Sequence, residues 1–232
     1  MLPAVHIKQP TPEEFRDRFV YYLRYTCGLE FRHARPVDHL LALGRAVRET
    51  IIDREILTVF PPERLITPDE VRGTHDTLES AVLDGGWPTL ADARGRVMFV
   101  FLNRSAAREH YIDGHPSLRG RVMFTNSDEG EAEAGWFNVN NSLDDGQRIR
   151  ELVDAGYMVR TRADADTQQA RENDYSLQEA AFASGGQFVS TDYVVPVPDF
   201  GTEYFAAVPG GYVARCNPIS APADCDSELI RP

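Results

Sequence analysis

The chain has 232 residues, of which 26% are charged and 42% hydrophobic, and its formal net charge is −12. This composition is typical of a globular protein, and the length suits a single domain over residues 1–232. The acidic balance argues against nucleic acid as a partner and against simple electrostatic adhesion to an anionic membrane.

Specific residue types exclude further classes. Lys8 is the only lysine, which argues against P-loop and Schiff-base chemistry because both need a placed lysine. No apolar run approaches the roughly 20 residues of a membrane span. The N-terminus lacks a charged-then-apolar pattern, so the sequence shows no signal peptide.

The first sixty residues are predominantly helical by pattern. Residues 11–25 have aromatic and aliphatic side chains at i, i+4 and i+8 on one helical face. A long helix is predicted over residues 37–59, where Pro61-Pro62 ends it. The segment 27–31 between the two helices is typical of a short strand, and we expect a further small strand at Leu65-Ile66.

Two segments repeat the same five residues, Gly95-Arg-Val-Met-Phe99 and Gly120-Arg-Val-Met-Phe124. Each is a buried strand core that follows a Gly-Arg turn, which indicates two successive strands with the same packing. Helices are predicted in every connection between successive strands, so the sheet should be parallel and the fold class α/β. The predicted strands lie near residues 27–31, 96–102, 121–126, 156–160 and 186–190.

A β-α-β pattern in residues 149–193 is the most informative part of the sequence. A helix ends at Gly156, which can take the left-handed conformation that ends helices, and a short strand follows. Ser176 begins a Ser-x-x-Glu capping box that opens a second helix, which runs to Gly185. Polar residues follow both strands, at the edge where α/β folds place active sites. The segment Trp136–Asn141 is expected to dock over that site.

Cys216 and Cys225 lie nine residues apart in a Pro-rich C-terminal tail, residues 210–232. A disulfide between them would hold a segment that has few other constraints and would indicate an oxidising compartment. Two unrelated thiols are the alternative. Cys27, on an apolar segment, is expected to be a buried thiol.

Six segments resemble the bacterial Ca²⁺-dependent phosphoinositide phospholipase C family, in the superfamily of phospholipase-C-like barrel phosphodiesterases. The resemblance extends from about residue 26 to 225. It implies a partial TIM-type β/α barrel in which this chain provides strands 4 to 8 of the eight, so the chain would be N-terminally incomplete. The segments are Val59–Arg72, Gly85–Leu90, Gly120–Ser127, Ala155–Thr167, Phe188–Tyr193 and Pro209–Pro218.

The resemblance also implies an activity. Family members are calcium-dependent phosphoric diester hydrolases that cleave phosphoinositide or related head groups by histidine acid–base catalysis. It further implies transient contact with a membrane surface and an extracellular or periplasmic location. The family's histidine pair is not found in this chain, so an inactive chain is one expectation. None of the histidines has a strand-end position with a carboxylate partner; they are His6, His33, His39, His75, His110 and His115.

One residue resembles a member of the family's calcium site. Glu30, in Leu29-Glu-Phe-Arg32, matches a Glu-x-Lys strand, with arginine in the lysine position. Calcium takes oxygen ligands, which a carboxylate supplies. A strand-end carboxylate paired with Arg32 or Arg35 is the alternative.

Two arginines are the main candidates for substrate binding. Arg160 and Arg162 alternate with Thr161, so both side chains lie on one side of their strand. Two guanidinium groups there could bind phosphate or inositol-phosphate oxygens bidentately. The alternative is an ion-pair network with neighbouring aspartates, which are Asp164, Asp166 and Asp192. The same rim is expected to include the substrate-binding side chains of Asn103, Asn126, Ser190 and Asp192.

Other functions fit parts of the sequence. Asp164-Ala-Asp-Thr167 matches the nucleophile signature of haloacid-dehalogenase-type phosphatases, but that fold needs a downstream lysine and none follows Lys8. A glycerophosphodiester phosphodiesterase shares the barrel and the metal-plus-histidine chemistry. Its substrate profile would distinguish it from a phosphoinositide phospholipase C. A non-catalytic remnant or binding protein follows from the missing histidine pair.

Overall fold

Seven short strands, all paired in parallel, form the frame of the described part of the chain. The computed structural model describes residues 52–104 and 106–230, which lie within the unit Arg48–Pro232. The strands are β1 (Leu65–Ile66), β2 (Val97–Met98), β3 (Val100–Phe101), β4 (Phe124–Thr125), β5 (Trp136–Asn138), β6 (Met158–Arg162) and β7 (Phe188–Ser190).

The pairing of the strands follows their order in the chain. β1 pairs with β2, β3 pairs with β4, and β5, β6 and β7 form a three-stranded sheet. Only Phe99 separates β2 from β3, and an isolated parallel bridge joins Asn126 to Trp136. The α/β class with parallel strands is therefore confirmed. The described strands do not form a closed barrel.

Seven helices and four 3₁₀ turns accompany the described strands. Residues 52–59 are also helical, in agreement with the last part of the helix predicted over residues 37–59; residues 37–51 lie outside the described residues. The predicted helix 11–25, the predicted strand 27–31 and Cys27 lie outside the described residues. The helices are α1 (Pro68–Arg72), α2 (Leu78–Leu83), α3 (Leu90–Ala93), α4 (Ala106–Ile112), α5 (Ser142–Asp154), α6 (Gln168–Glu172) and α7 (Ser176–Ser184). The 3₁₀ turns are Pro62–Arg64, Pro116–Leu118, Pro198–Phe200 and Ser227–Leu229.

The main hydrophobic core joins β4, β5 and β6 with the apolar faces of α2 and α5. Ile149, Leu152 and Val153 form the predicted apolar face of α5, and all three are buried. They belong to one cluster with Val159 of β6. After α5, Gly156 adopts a φ of +104°, as the predicted helix end requires, and a Cβ there would lie 2.8 Å from the carbonyl oxygen of Val82.

The repeated Gly-Arg-Val-Met-Phe segments use their arginines in a similar way. Arg96 Nη2 donates to the carbonyl oxygen of Leu65 at 2.5 Å and also pairs with Glu70. Arg121 Nε donates to the carbonyl oxygen of Tyr111 at 2.7 Å, and its Nη1 lies 3.3 Å from Asp53 Oδ2. Each arginine therefore fixes the start of its strand segment against a neighbouring element.

The sequence predicted that the segment Trp136–Asn141 docks over the site, and this prediction was wrong. Its first three residues form the strand β5. Trp136 and Phe137 are both buried, on opposite faces, which favours a strand inside the sheet. The helix predicted between the strands near residues 121–126 and 156–160 is α5, which follows β5. The connection from β4 to β5 contains no helix. The buried guanidinium of Arg108 holds this loop instead, with Nη2 donating to Ser127 Oγ at 3.0 Å and to Glu131 Oε2 at 2.5 Å.

The predicted capping box at Ser176 is also absent. α7 begins at Ser176 itself, Tyr175 precedes it with helical backbone angles, and no side chain caps the helix from that position. Asp174 accepts a hydrogen bond from the backbone N–H of Ser176 at 2.8 Å. The carboxylate of Asp174 therefore accepts a hydrogen bond from the first turn of the helix, the role that the sequence predicted for the serine hydroxyl. The predicted end at Gly185 is confirmed, with a φ of +88°.

The Pro-rich tail is attached to the end of α7. Cys216 and Cys225 form a disulfide with 6.0 Å between their Cα atoms. Asn217 Nδ2 donates to the carbonyl oxygen of Gly185 at 2.6 Å, and the side chain of Ile219 lies against Gly185. The disulfide therefore closes a loop that packs against the β-α-β unit.

Replacing both Cys216 and Cys225 with serine should lower the free energy of unfolding by about 2–3 kcal/mol, because the small loop gains freedom in the unfolded chain. Denaturant unfolding of the oxidised wild type and of the double variant measures this loss. A thiol titration of the denatured, unreduced wild type should find one thiol per chain. Three thiols per chain would show that the disulfide does not form.

Candidate functional site

The carboxyl ends of β5, β6 and β7 bring four polar side chains to one face of the sheet. Asn138 is in register with Arg160, and Arg162 is in register with Ser190. Paired residues of a parallel ladder have their side chains on the same face. Burial along β6 alternates, with Val159 fully buried and both arginines partly exposed. The four polar side chains therefore lie opposite the helix-covered core.

Arg160 is anchored to the two neighbouring strands. Its Nη1 donates to Asn138 Oδ1 at 2.9 Å and to Asn140 Oδ1 at 2.5 Å. Its Nη2 donates to Ser190 Oγ, whose hydroxyl lies 3.3 Å from the carbonyl oxygen of Thr161 and donates to it. Three neutral acceptors thus fix the plane of a charged guanidinium without neutralising it.

The surroundings of Arg160 disfavour positive charge overall. Burial lowers the pKa of its guanidinium, and the positive charge of Arg162 lowers it further. The negative charges of Asp192 and Asp164 act in the opposite direction. Arginine remains protonated in proteins, so this environment leaves two like charges close together. An anion bound beside them would relieve that repulsion.

Arg162 differs from Arg160 in its contacts. Its Nε is buried and makes no hydrogen bond to a described residue. Leaving a buried donor without an acceptor costs about 1–3 kcal/mol, more for charged groups. Phosphate oxygens are acceptors that suit a guanidinium in this situation.

The ion-pair network that we considered for these arginines does not form. Within the described chain, neither arginine forms a salt bridge with any of the three aspartates. Asp164 is buried, 4% exposed, and accepts hydrogen bonds from Thr191 Oγ1 and from the backbone N–H of Asp192, the latter at 3.0 Å. Asp192 and Asp166 are exposed.

The other predicted rim residues have different surroundings. Asn126 is buried, and its Oδ1 accepts a hydrogen bond from the backbone N–H of Asn138 at 3.1 Å. Its amide nitrogen lies 3.5 Å from the carbonyl oxygen of Leu102, so Asn126 connects the loop after β3 with β5. Asn103 is exposed. Of the predicted rim residues, Ser190 accepts a hydrogen bond from Arg160.

Asn138 and Asn140 were missed as site residues. They lie in Trp136-Phe-Asn-Val-Asn140, where two buried aromatic residues are followed by alternating asparagines. This is the same change from apolar to polar that identified the end of β6. We did not recognise it because we had assigned the segment to a covering loop.

Histidines are not at this edge of the described sheet. His75 precedes α2, and its Nε2 lies 3.1 Å from Oδ2 of Asp84, the residue after α2. His115 Nδ1 lies 2.7 Å from the carbonyl oxygen of Arg119, and His110 is in α4. His6, His33 and His39 lie outside the described residues.

A calcium site would need several oxygen ligands around one ion. No group of three or more His, Cys, Asp or Glu side chains suited to a metal ion occurs within residues 52–104 and 106–230. The asparagine oxygens at the rim are already bound to Arg160. Glu30, the predicted calcium ligand, lies outside the described residues.

The described helices are also too short or too polar to cross a membrane. This feature adds nothing to the site itself.

The fold and the site together define an α/β protein with an arginine pair at the carboxyl ends of parallel strands, an arrangement suited to an anionic, phosphate-bearing ligand. The family model described as phosphoinositide phospholipase C, Ca²⁺-dependent, matches residues 45–218. The match covers three quarters of the chain, and the protein belongs to this family. No curated protein matches the chain, and no solved structure matches it.

Replacing Arg160 with lysine should lower the free energy of unfolding by about 1–2 kcal/mol, because one ammonium group cannot reach acceptors on both neighbouring strands. Urea unfolding of the wild type and of Arg160→Lys measures the loss. Arg54→Lys is the matched control, since Arg54 is exposed on the helical segment 52–59. Equal losses in both variants would contradict the anchoring role.

Proposed function

We propose that this protein is a phospholipase-C-like phosphodiesterase in which Arg160 and Arg162 bind the phosphate of a phosphoinositide. The observation that carries the proposal is the arginine pair. One guanidinium is held by neutral acceptors, and the other has a buried Nε without a hydrogen-bond partner among the described residues. Family membership supports the same reaction class.

The pair would act most strongly where negative charge grows during the reaction. When a hydroxyl attacks the phosphorus of a diester, charge accumulates on the non-bridging oxygens. Donors that are already oriented stabilise this charge without reorganising. Arg160 meets that condition because Asn138, Asn140 and Ser190 fix its position. Arg162 would donate to the same phosphate from the next position on the same face.

The acid and the base of the reaction are not assigned to described residues. Histidine acid–base catalysis is part of the proposal through the family alone, and the three described histidines lie in helices and turns away from the rim strands. Binding without cleavage is the alternative to the phosphodiesterase. A glycerophosphodiester phosphodiesterase would use the same arginine pair but would not require an inositol ring.

Calcium enters the proposal in the same way. The family description names Ca²⁺, and we propose Glu30 as one ligand because its carboxylate suits a hard cation. The disulfide in the tail supports an oxidising, extracellular or periplasmic location. A membrane-embedded substrate would require transient contact with a lipid surface.

Replacing Arg162 with glutamine should reduce kcat/KM for phosphatidylinositol on the order of a hundredfold, since a donor to the developing charge is lost. Release of water-soluble inositol phosphate from phosphatidylinositol micelles, with Ca²⁺ and then with chelator, measures the activity. Arg150→Gln is the control. Arg150 is exposed on α5 and donates a hydrogen bond to the carbonyl oxygen of Ala183 in the last turn of α7.

The outcomes separate the candidate functions. Chelator-sensitive release by the wild type that is lost in Arg162→Gln supports the proposal. Release of glycerol phosphate from deacylated diesters lacking inositol would support the glycerophosphodiesterase. An inactive wild type that still binds inositol 1-phosphate would support a binding protein. An Arg162→Gln variant as active as Arg150→Gln would contradict the assignment of the arginine.

Replacing Glu30 with glutamine should raise the Ca²⁺ concentration needed for half-maximal activity about tenfold or more, because a charged oxygen ligand is replaced by a neutral one. Activity measured across a Ca²⁺ titration shows the shift. Glu63→Gln, on the exposed turn Pro62–Arg64, is the control. An unchanged titration in Glu30→Gln would favour the alternative, in which Glu30 pairs with Arg32 or Arg35.

A further inference from the structure

A buried carboxylate beside the arginine pair has no role in the proposed binding of phosphate. Asp164 follows β6 by two residues and is 4% exposed. Burying a carboxylate is costly unless hydrogen bonds and nearby positive charge compensate. Its placement in a buried position next to a candidate anion site therefore needs a physical reason.

The hydrogen bonds of Asp164 go to the turn after β7. Its Oδ2 accepts from Thr191 Oγ1, and its Oδ1 accepts from the backbone N–H of Asp192 at 3.0 Å. The Thr191 hydroxyl in turn accepts from the backbone N–H of Tyr193 at 2.9 Å. One carboxylate thus fixes three successive residues of that turn.

The side chain of Tyr204 also lies against the carboxylate of Asp164. Tyr204 is 1% exposed, and its hydroxyl donates to the carbonyl oxygen of Ala163 at 3.0 Å and lies 3.4 Å from Asp164 Oδ2. Burial raises the pKa of Tyr204, and the negative charge of Asp164 raises it further. The tyrosine therefore remains a neutral donor beside the carboxylate.

The turn that Asp164 holds begins next to a residue that holds Arg160. Ser190 immediately precedes Thr191, and its Oγ accepts from Arg160 Nη2. The ladder between β6 and β7 continues past Ser190, whose carbonyl oxygen accepts from the backbone N–H of Ala163 at 2.8 Å. The negative charge of Asp164 also offsets part of the repulsion that Arg162 exerts on Arg160.

We infer that Asp164 is a positioning residue for the phosphate site: through Thr191 and Asp192 it fixes Ser190 against Arg160. It acts on the ligand only through these groups. The inference rests on the proposed binding of phosphate by Arg160 and Arg162. The role of Asp164 is thus neither that of an ion-pair partner of the arginines nor that of a phosphatase nucleophile.

The test is the binding of inositol 1-phosphate, followed by ligand-observed NMR in the full chain. Asp164→Asn keeps the size of the side chain and should weaken binding about tenfold, as expected for a lost charge-assisted contact. Thr191→Val keeps the carboxylate and should weaken binding less, in the same direction. Asp199→Asn, an exposed carboxylate in the nearby turn Pro198–Phe200, should leave binding unchanged.

A double-mutant cycle separates positioning from a general loss of stability. If Asp164 acts through Arg160, then Asp164→Asn should have little further effect on binding in an Arg160→Lys background. A purely structural role predicts additive losses, and additive losses would overturn the inference. Wild-type affinity in Asp164→Asn would overturn it as well. A wild type that does not bind inositol 1-phosphate would instead overturn the proposed function on which the inference depends.

Discussion

The hydrogen bonds of Arg160 are the interaction on which the candidate site depends. They join β5, β6 and β7 through side chains at the carboxyl ends of the strands. The acceptors are neutral, so the positive charge remains available to a ligand. The parallel register supplies this geometry directly, because it places Asn138 beside Arg160 and Ser190 beside Arg162.

The charges around the pair explain why the site favours an anion. Two guanidinium groups lie on the same face of one strand, and no salt bridge to a described carboxylate neutralises either of them. Asp164 is buried, and its hydrogen bonds go to the turn after β7. In a chain with a net charge of −12, this local excess of positive charge is a specific feature and does not follow from composition.

Patterns within single elements were predicted well from the sequence. The apolar face of α5, the left-handed glycines at 156 and 185, and the alternation along β6 each depend on local periodicity or on backbone conformation. The number of strands was predicted less well. β5 was missed because both of its faces are buried, which removes the alternation that identifies a half-exposed strand. With β5 missed, Asn138 and Asn140 could not be placed beside Arg160.

The most direct test of the account is a crystal structure of the protein with inositol 1-phosphate bound. The account predicts phosphate oxygens within hydrogen-bonding distance of both Arg160 and Arg162, with Asn138, Asn140 and Ser190 still holding Arg160. A phosphate bound elsewhere, or Arg162 paired with a carboxylate of the protein, would contradict it.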